Sequence, residues 1–173
     1  MSSEHQSRLT EEDLKKLPSA EGLDIHIVVS VWNAEITDLL LQGAESTLVN
    51  LGLAKDDIHI LKVPGTFELP VAAKILLKNK KNTDAVICLG CVVKGETDHD
   101  IYINQSVANA LNQLSIISGT PIIFGVLTTN TQEQALDRVG GAHGHKGVEA
   151  AITAVKMAQL SKEINKPGKS IGF

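Results

Sequence analysis

DAVICLGCVVKGETDHDIYINQS, residues 84–106, carries the passage from buried strand to polar loop to helix on which the reading of this chain turns. Ala85, Val86, Ile87, Cys88 and Leu89 form an apolar, largely β-branched run between Asp84 and Gly90, the pattern of a parallel strand covered on both faces. The strand is expected to stop at Gly90. A short irregular segment follows with Gly95, Glu96, Thr97, Asp98, His99 and Asp100, and then Ile103, Val107, Ala110, Leu111 and Leu114 recur at helical spacing. In an open parallel sheet, ligands bind beyond the carboxyl ends of the strands. The polar residues between this strand and this helix therefore occupy the expected site.

Three further strand-then-helix units surround it. Residues 24–31 read as a first strand, followed by a helix with Ile36, Leu39, Leu40, Gly43, Ala44, Thr47 and Leu48 on one face and Gly52 at its close. Residues 57–63 read as a second strand ending at Pro64-Gly65, with a helix over 68–78 built on Leu69, Ala72, Ala73, Leu76 and Leu77. Residues 122–127 give a fourth strand, with 128–130 capping a short helix over 133–139. The glycine-rich GGAHGHKG, 140–147, breaks that helix, and a last amphipathic helix spans about 148–160. Four such units predict an α/β fold, a three-layer α/β/α sandwich on a four-stranded parallel sheet with right-handed crossovers. Residues 1–22 read as a flexible N-terminal arm, 23–162 as one domain, and 163–173 as a loose C-terminal tail.

A chain of 173 residues that is 43% hydrophobic suffices for one core. Its net charge of −4, without a Lys/Arg cluster free of neighbouring acids, argues against a nucleic-acid surface or an anionic-membrane anchor and toward a small-molecule partner. The two cysteines, Cys88 and Cys91, have C-x-x-C spacing. Thioredoxin-type motifs open a helix, and a structural zinc needs a second ligand pair, so neither redox chemistry nor metal binding is expected. The polar start and the lack of any run of about 18 apolar residues predict neither a signal peptide nor a membrane span, and a cytoplasmic protein.

The residues just past each strand are Trp32-Asn33, then Gly65-Thr66-Phe67-Glu68, then Cys91 through His99, then Thr128-Thr129-Asn130. Such points converge in this kind of sheet. Trp32, the sole tryptophan, is either a stacking platform for a flat ligand or a core-edge side chain. Phe124, inside a strand, reads first as core. Gly95-Glu96-Thr97 offers backbone N–H groups near a helix start, suited to an anion or to an ordinary capped turn. His99, between Asp98 and Asp100, is an imidazole, a side chain suited to proton shuttling, or is a solvated loop residue. Arg138 and Lys146 flank the glycine-rich turn as two cations near an anion site or as surface charge. No G-x-x-x-x-G-K-[ST] loop is present, and no strand precedes a G-x-G-x-x-G. A phosphoreceiver would need acidic residues at its strand ends, where this chain has Gly90-Cys91.

Four blocks taken in order, VPGTFELP (63–70), LGCVVKGETDH (89–99), PIIFGVLTTNTQEQALDR (121–138) and HKGVEAA (145–151), resemble the lumazine synthase family across about residues 23–160. The resemblance implies a flavodoxin-like fold with room for an extra strand from a neighbour's N-terminal segment. It implies a transferase of riboflavin biosynthesis that condenses 5-amino-6-(D-ribitylamino)uracil with 3,4-dihydroxy-2-butanone 4-phosphate, releasing phosphate and water, with no cofactor and no metal. In this resemblance Trp32 stacks on the pyrimidine with Asn33 beside it, and Thr66, Phe67 and Glu68 hold the ribityl chain. Cys91, Val92 and Val93 meet the uracil edge. Glu96 and Thr97 present amides to the butanone phosphate, which Arg138 pairs with, while Lys146 and Glu149 form a charged pair nearby. His99 matches the proton donor and acceptor. Phe124 matches an aromatic residue contributed by the neighbouring subunit, which replaces the core reading.

The resemblance also implies a pentamer with sites between adjacent subunits. The compact stretch from Arg138 to Lys146 favours the shell of twelve pentamers, with riboflavin synthase as a further partner. Three features depart from the family pattern: acidic Glu96 and Asp98 beside the phosphate loop, Asp100 where many members carry an aromatic residue, and Ala142 where some carry a basic one. The alternative is a non-catalytic lumazine- or flavin-binding protein on the same scaffold, a role that needs neither His99 nor Arg138. A riboflavin synthase of the archaeal kind would need no phosphate site, so Arg138 and the Gly95-Glu96-Thr97 loop weigh against it.

Overall fold

The computed structural model describes residues 16–165. Four strands, β1 (Ile25–Ser30), β2 (His59–Val63), β3 (Ala85–Val93) and β4 (Ile122–Thr129), form one sheet in the order β2-β1-β3-β4, with every neighbouring pair parallel. The helices are α1 (Ala34–Asn50), α2 (Leu69–Asn79), α3 (His99–Ser118), α4 (Gln132–Leu136) and α5 (Lys146–Ile164). This is the expected α/β sandwich, with the strand order of flavodoxin-like sheets.

Strand alternation divides the apolar residues between two cores. Ile25, Ile27 and Val29 of β1 and Ile87 and Leu89 of β3 face one side, where they pack with Ile36, Leu40 and Leu48 of α1 and Ala151, Ala154 and Val155 of α5. Val28, Val86 and Val92 face the other, against Leu69 and Ala73 of α2 and Val107 and Leu111 of α3. Every residue of β1 is buried, which is why the central strands read as continuous apolar runs. The helices α1 and α5 approach closely because glycines line their contact. A Cβ on Gly147 would come 2.1 Å from the Leu40 carbonyl oxygen.

Several boundaries differ from the sequence reading. The strand expected to stop at Gly90 continues to Val93, because β4 pairs with it rung by rung as far as Val93–Thr129. Gly90 lies within the strand for a packing reason. A Cβ there would meet Thr66 Oγ1 at 2.8 Å and Leu69 at 3.2 Å, so its absence lets the next turn close onto β3. Of the expected second strand, Asp57 instead ends a 3-10 turn, Lys55–Asp57, and Ile58 caps it, so β2 starts only at His59. His99, read as a loop residue, is the first residue of α3. Thr131 caps α4, its Oγ1 accepting from the Gln134 N–H at 3.3 Å. The glycine-rich turn holds a small hairpin, β5 (Val139–Gly141) with β6 (Gly144–His145), where Gly140 and Gly144 take positive φ of 118° and 84°.

Residues 1–15 of the expected arm and 166–173 of the expected tail lie outside the described residues. Ahead of β1, Ala20 is buried and its N–H donates to the Leu51 carbonyl at 2.7 Å, while Gln159 Nε2 donates to the Ser19 carbonyl at 2.8 Å. Among the described residues no helix is long and apolar enough to cross a membrane.

Candidate active site

Beyond β1 the chain does not turn at once. Val31 and Trp32 donate their N–H groups to the carbonyls of Val63 and Pro64, at 2.8 and 3.1 Å, and so carry the sheet pairing past the end of the strand. Asn33 then takes φ 59° and ψ 46°, the one non-glycine positive φ among the described residues, and α1 starts. Asparagine tolerates this left-handed conformation better than most residues. Its side-chain Nδ2 donates to the Cys91 carbonyl at 3.0 Å, joining the ends of β1 and β3. This reversal leaves the Trp32 ring 70% exposed at the sheet's carboxyl end, so the core-edge reading of Trp32 does not hold.

After β2 the 3-10 turn Thr66–Glu68 buries Thr66 against β3 and leaves Phe67 58% exposed. The Glu68 carboxylate folds back over the turn, and its Oε2 lies 2.9 Å from where a Cβ on Gly65 would stand. Past β3 the chain reaches α3, whose first turn has N–H groups without intrahelical acceptors. Together these segments enclose a hollow of about 480 Å³ lined by Trp32, Asn33, Gly65, Thr66, Phe67, Glu68, Cys91, Val92, Val93, Gly95, Thr97, His99, Asp100 and Ile103. The lining combines an exposed indole and phenyl ring, two carboxylates, one imidazole and strand backbone. Such a surface suits a flat heterocycle bearing hydroxyl groups.

A second hollow, about 400 Å³, opens beside the end of β4 and is lined by Val126, Leu127, Thr128, Thr129, Gln134, Asp137, Arg138, His143 and Lys146. Here the charges are fixed to one another. Arg138 Nη1 donates to the His143 carbonyl at 2.6 Å, and Nη2 lies 3.4 Å from Glu149 Oε1. Lys146 Nζ lies 3.3 Å from the other oxygen of the same carboxylate, Glu149 Oε2. Two cations share one carboxylate, and Asp137 adds a second acidic group to the same wall.

The two hollows take their walls from the same rungs. Cys91, Val92 and Val93 of β3 line the first, while their partners Leu127, Thr128 and Thr129 of β4 line the second. No lining residue is common to both.

Three residues apart in one strand, Cys88 and Cys91 belong to opposite cores, where neither reaches the other. Burial pushes the Cys88 thiol up to about 12 and the Cys91 thiol to about 11, so neither is a thiolate near neutrality. Among the described residues no group of three or more His, Cys, Asp or Glu side chains is arranged to hold a metal ion.

A sequence model of 6,7-dimethyl-8-ribityllumazine synthase matches residues 22–162. The chain is 47% identical over 154 residues to the 6,7-dimethyl-8-ribityllumazine synthase of Porphyromonas gingivalis, covering 89% of this chain and 95% of that one. It is 49% identical over 142 residues to the same-named protein of Cytophaga hutchinsonii, covering 82% and 89% of the two chains. The chain belongs to the 6,7-dimethyl-8-ribityllumazine synthase family.

Of the residues that the synthase resemblance singles out, Trp32, Asn33, Thr66, Phe67, Glu68, Cys91, Val92, Val93, Thr97 and His99 meet in the first hollow. Arg138 and Lys146 lie in the second. Glu96 is exposed and lines neither, which keeps its carboxylate out of the first hollow despite its place in the loop. Phe124 also lines neither. It lies on the outer strand β4 and is 37% exposed, so it is not a core residue. The sequence reading passed over Ile103, Gln134, Asp137 and His143 as wall residues. Of these only His143, between Arg138 and Lys146 in a turn already singled out, left a signal that could have been followed.

Proposed function

We propose that this protein acts as the 6,7-dimethyl-8-ribityllumazine synthase its family membership indicates, and that its two hollows are two halves of one site joined between neighbouring copies. The transferase reaction joins 5-amino-6-(D-ribitylamino)uracil to 3,4-dihydroxy-2-butanone 4-phosphate with loss of phosphate and water. The observation that carries this reading is the first hollow, where an exposed tryptophan, the Thr66–Glu68 turn and His99 gather at the sheet's carboxyl end. In this reading the indole of Trp32 stacks on the pyrimidine, and the strand-end backbone of Cys91, Val92 and Val93 meets its edge. Main-chain amides with the Glu68 carboxylate bind the ribityl hydroxyls.

The phosphate is held at the second hollow by Arg138 and Lys146 of a neighbouring copy, with the amides of Glu96 and Thr97 closing on it from the first. Phe124, exposed on the outer strand, comes from that neighbour as well. The separation of the two sets in one chain supports this division, as do exposed apolar side chains such as Val71, Ile75 and Ile117. Within the site the pyrimidine amine attacks the ketone to form an imine and release water, phosphate then leaves, and ring closure by the second amine onto the remaining carbonyl releases a second water. His99 relays protons between these steps. Much of the acceleration comes from holding two substrates together, which requires no strong acid.

The proposed unit is residues 23–162 assembled as a pentamer, with twelve pentamers making a shell in the cytoplasm that riboflavin synthase partners. Mixing the purified protein with both substrates tests the activity. Growth of the lumazine absorbance matched by phosphate release establishes it, and tight lumazine binding without turnover would make the protein a carrier instead. Sizing the same sample separates pentamer from shell.

A further inference from the structure

His145 is named by neither half of the site, yet it stands at the junction that builds the second one. It is the N-cap of α5, and its Nδ1 accepts the Gly147 N–H at 3.2 Å. That hydrogen bond requires an unprotonated Nδ1, so the imidazole is neutral with its proton on Nε2. The same residue pairs with Val139 in the hairpin, directly beside Arg138, and the next N–H, of Lys146, donates to the Arg138 carbonyl at 2.8 Å. The ring lies flat on α1 at Gly43, where an added Cβ would come 2.1 Å from its Cε1. Helix α1, hairpin and α5 are thus locked by one imidazole whose immediate neighbours in sequence and ladder carry the two cations.

We infer that His145 is the positioning residue of the phosphate-binding half-site: its neutral ring holds the hairpin-to-helix junction so that Arg138 and Lys146 face one hollow, and its protonation releases them. The inference rests on the reading of that hollow as the phosphate half-site. Burial holds the His145 imidazole below its ordinary value of 6.5, against the opposing pull of its own backbone contact and of the Glu149 carboxylate. Glu149 of α5 is the charged group acting on it. On α1, Leu40 and Thr47 beside Gly43 are buried and uncharged, with Glu45 the nearest carboxylate in sequence, and on the hairpin side the charged groups are Asp137, Arg138 and Lys146. A histidine with a lowered native value is neutral and capping at pH 7. Its contribution is lost as the pH falls below about 6.5 and through the native value.

The test uses the full-chain enzyme in its native assembly and compares wild type, His145→Asn, His145→Ala and Arg138→Ala. Asparagine places its Oδ1 where the histidine holds Nδ1, so it caps but does not titrate. We expect His145→Ala to raise KM for the butanone phosphate about five-fold at pH 7.5, the size of one lost cap, with kcat and the pyrimidine KM within two-fold. His145→Asn should restore that KM. The butanone phosphate itself titrates near pH 6, but equally for both enzymes. The ratio of wild-type to His145→Asn kcat/KM should therefore isolate the imidazole, and it should fall at least three-fold between pH 7.5 and 5.0. A constant ratio across that range, or an equal rise in both substrates' KM values in His145→Ala, would overturn the inference. If Arg138→Ala leaves the butanone phosphate KM unmoved, the half-site itself is misassigned. If Arg138→Ala raises it while the His145 ratio stays flat, only the role of His145 fails.

Discussion

The two hollows draw on adjacent strands and yet differ in kind. The first is made of rings, strand-end backbone and a helix start, set on β1 and β3, the fully embedded centre of the sheet. The second depends on Arg138, just ahead of the hairpin over 139–145, and on Lys146 and Glu149 at the start of α5, beyond the outer strand β4. A flat, hydroxylated substrate needs shape and directional hydrogen bonds, which rigid strand ends supply. A phosphate needs charge, which two side chains sharing a carboxylate supply and can surrender to the ligand. The lesson, on the proposed assignment of the two hollows, is that the residues for the two substrates are physically separable in this chain.

If so, substitutions should divide by substrate. The largest effect on a binding constant is expected from Arg138→Ala, which removes the donor to Glu149 and to the phosphate. It should raise the butanone phosphate KM by about 30- to 100-fold, on the order of a charged hydrogen-bond pair, and leave the pyrimidine KM within two-fold by steady-state kinetics. A matching rise in the pyrimidine KM would break the separation. His99→Ala should lower kcat about ten-fold, at or below the low end for a lost acid–base group because proximity remains, with both KM values little changed. Complete loss of turnover would put the proton relay above proximity. Trp32→Ala should weaken the pyrimidine by about ten-fold, the typical worth of a lost aromatic stack with its contact area, and leave phosphate binding intact. Gly147→Ala sharpens the contrast from the packing side. Its Cβ would press on the Leu40 carbonyl, costing about 2–3 kcal/mol of stability and lowering Tm roughly 5–10 °C. Butanone phosphate binding should suffer before pyrimidine binding does. The smallest effect concerns the thiols. At pH 8 the folded protein should take up almost no alkylating reagent at Cys88 or Cys91, and the denatured chain should react at both.

The sheet and its helices were legible because each central strand is an uninterrupted apolar run and each helix repeats at its own period. What escaped the sequence depended on partners. Gly90 looks like a strand end until β4 is laid beside Val92 and Val93, and its role is to admit Thr66, which lies far from it in the chain. His99 looks like a loop residue because acids surround it, yet Asp98 is the N-cap of α3 and Asp100 lies in its first turn. The hairpin inside GGAHGHKG was missed since strands of three and two residues leave no period to read. The rings of the first hollow could be named from position alone, whereas Phe124 was corrected only by likeness to a family. The grouping of Arg138 and Lys146 around Glu149, and their distance in the chain's surface from His99, belong to the fold and not to any stretch of sequence.

The claim that one site is assembled from two copies is tested most directly by mixing. His99→Ala and Arg138→Ala chains, each poorly active at limiting butanone phosphate, would be co-assembled in equal amounts and assayed for lumazine formation. If a neighbour supplies Arg138 to each His99 hollow, about a quarter of the junctions in a random head-to-tail ring carry both intact residues, and activity should rise well above the mean of the two separate variants. Activity no higher than that mean would place His99 and Arg138 in the same chain's site and contradict the account.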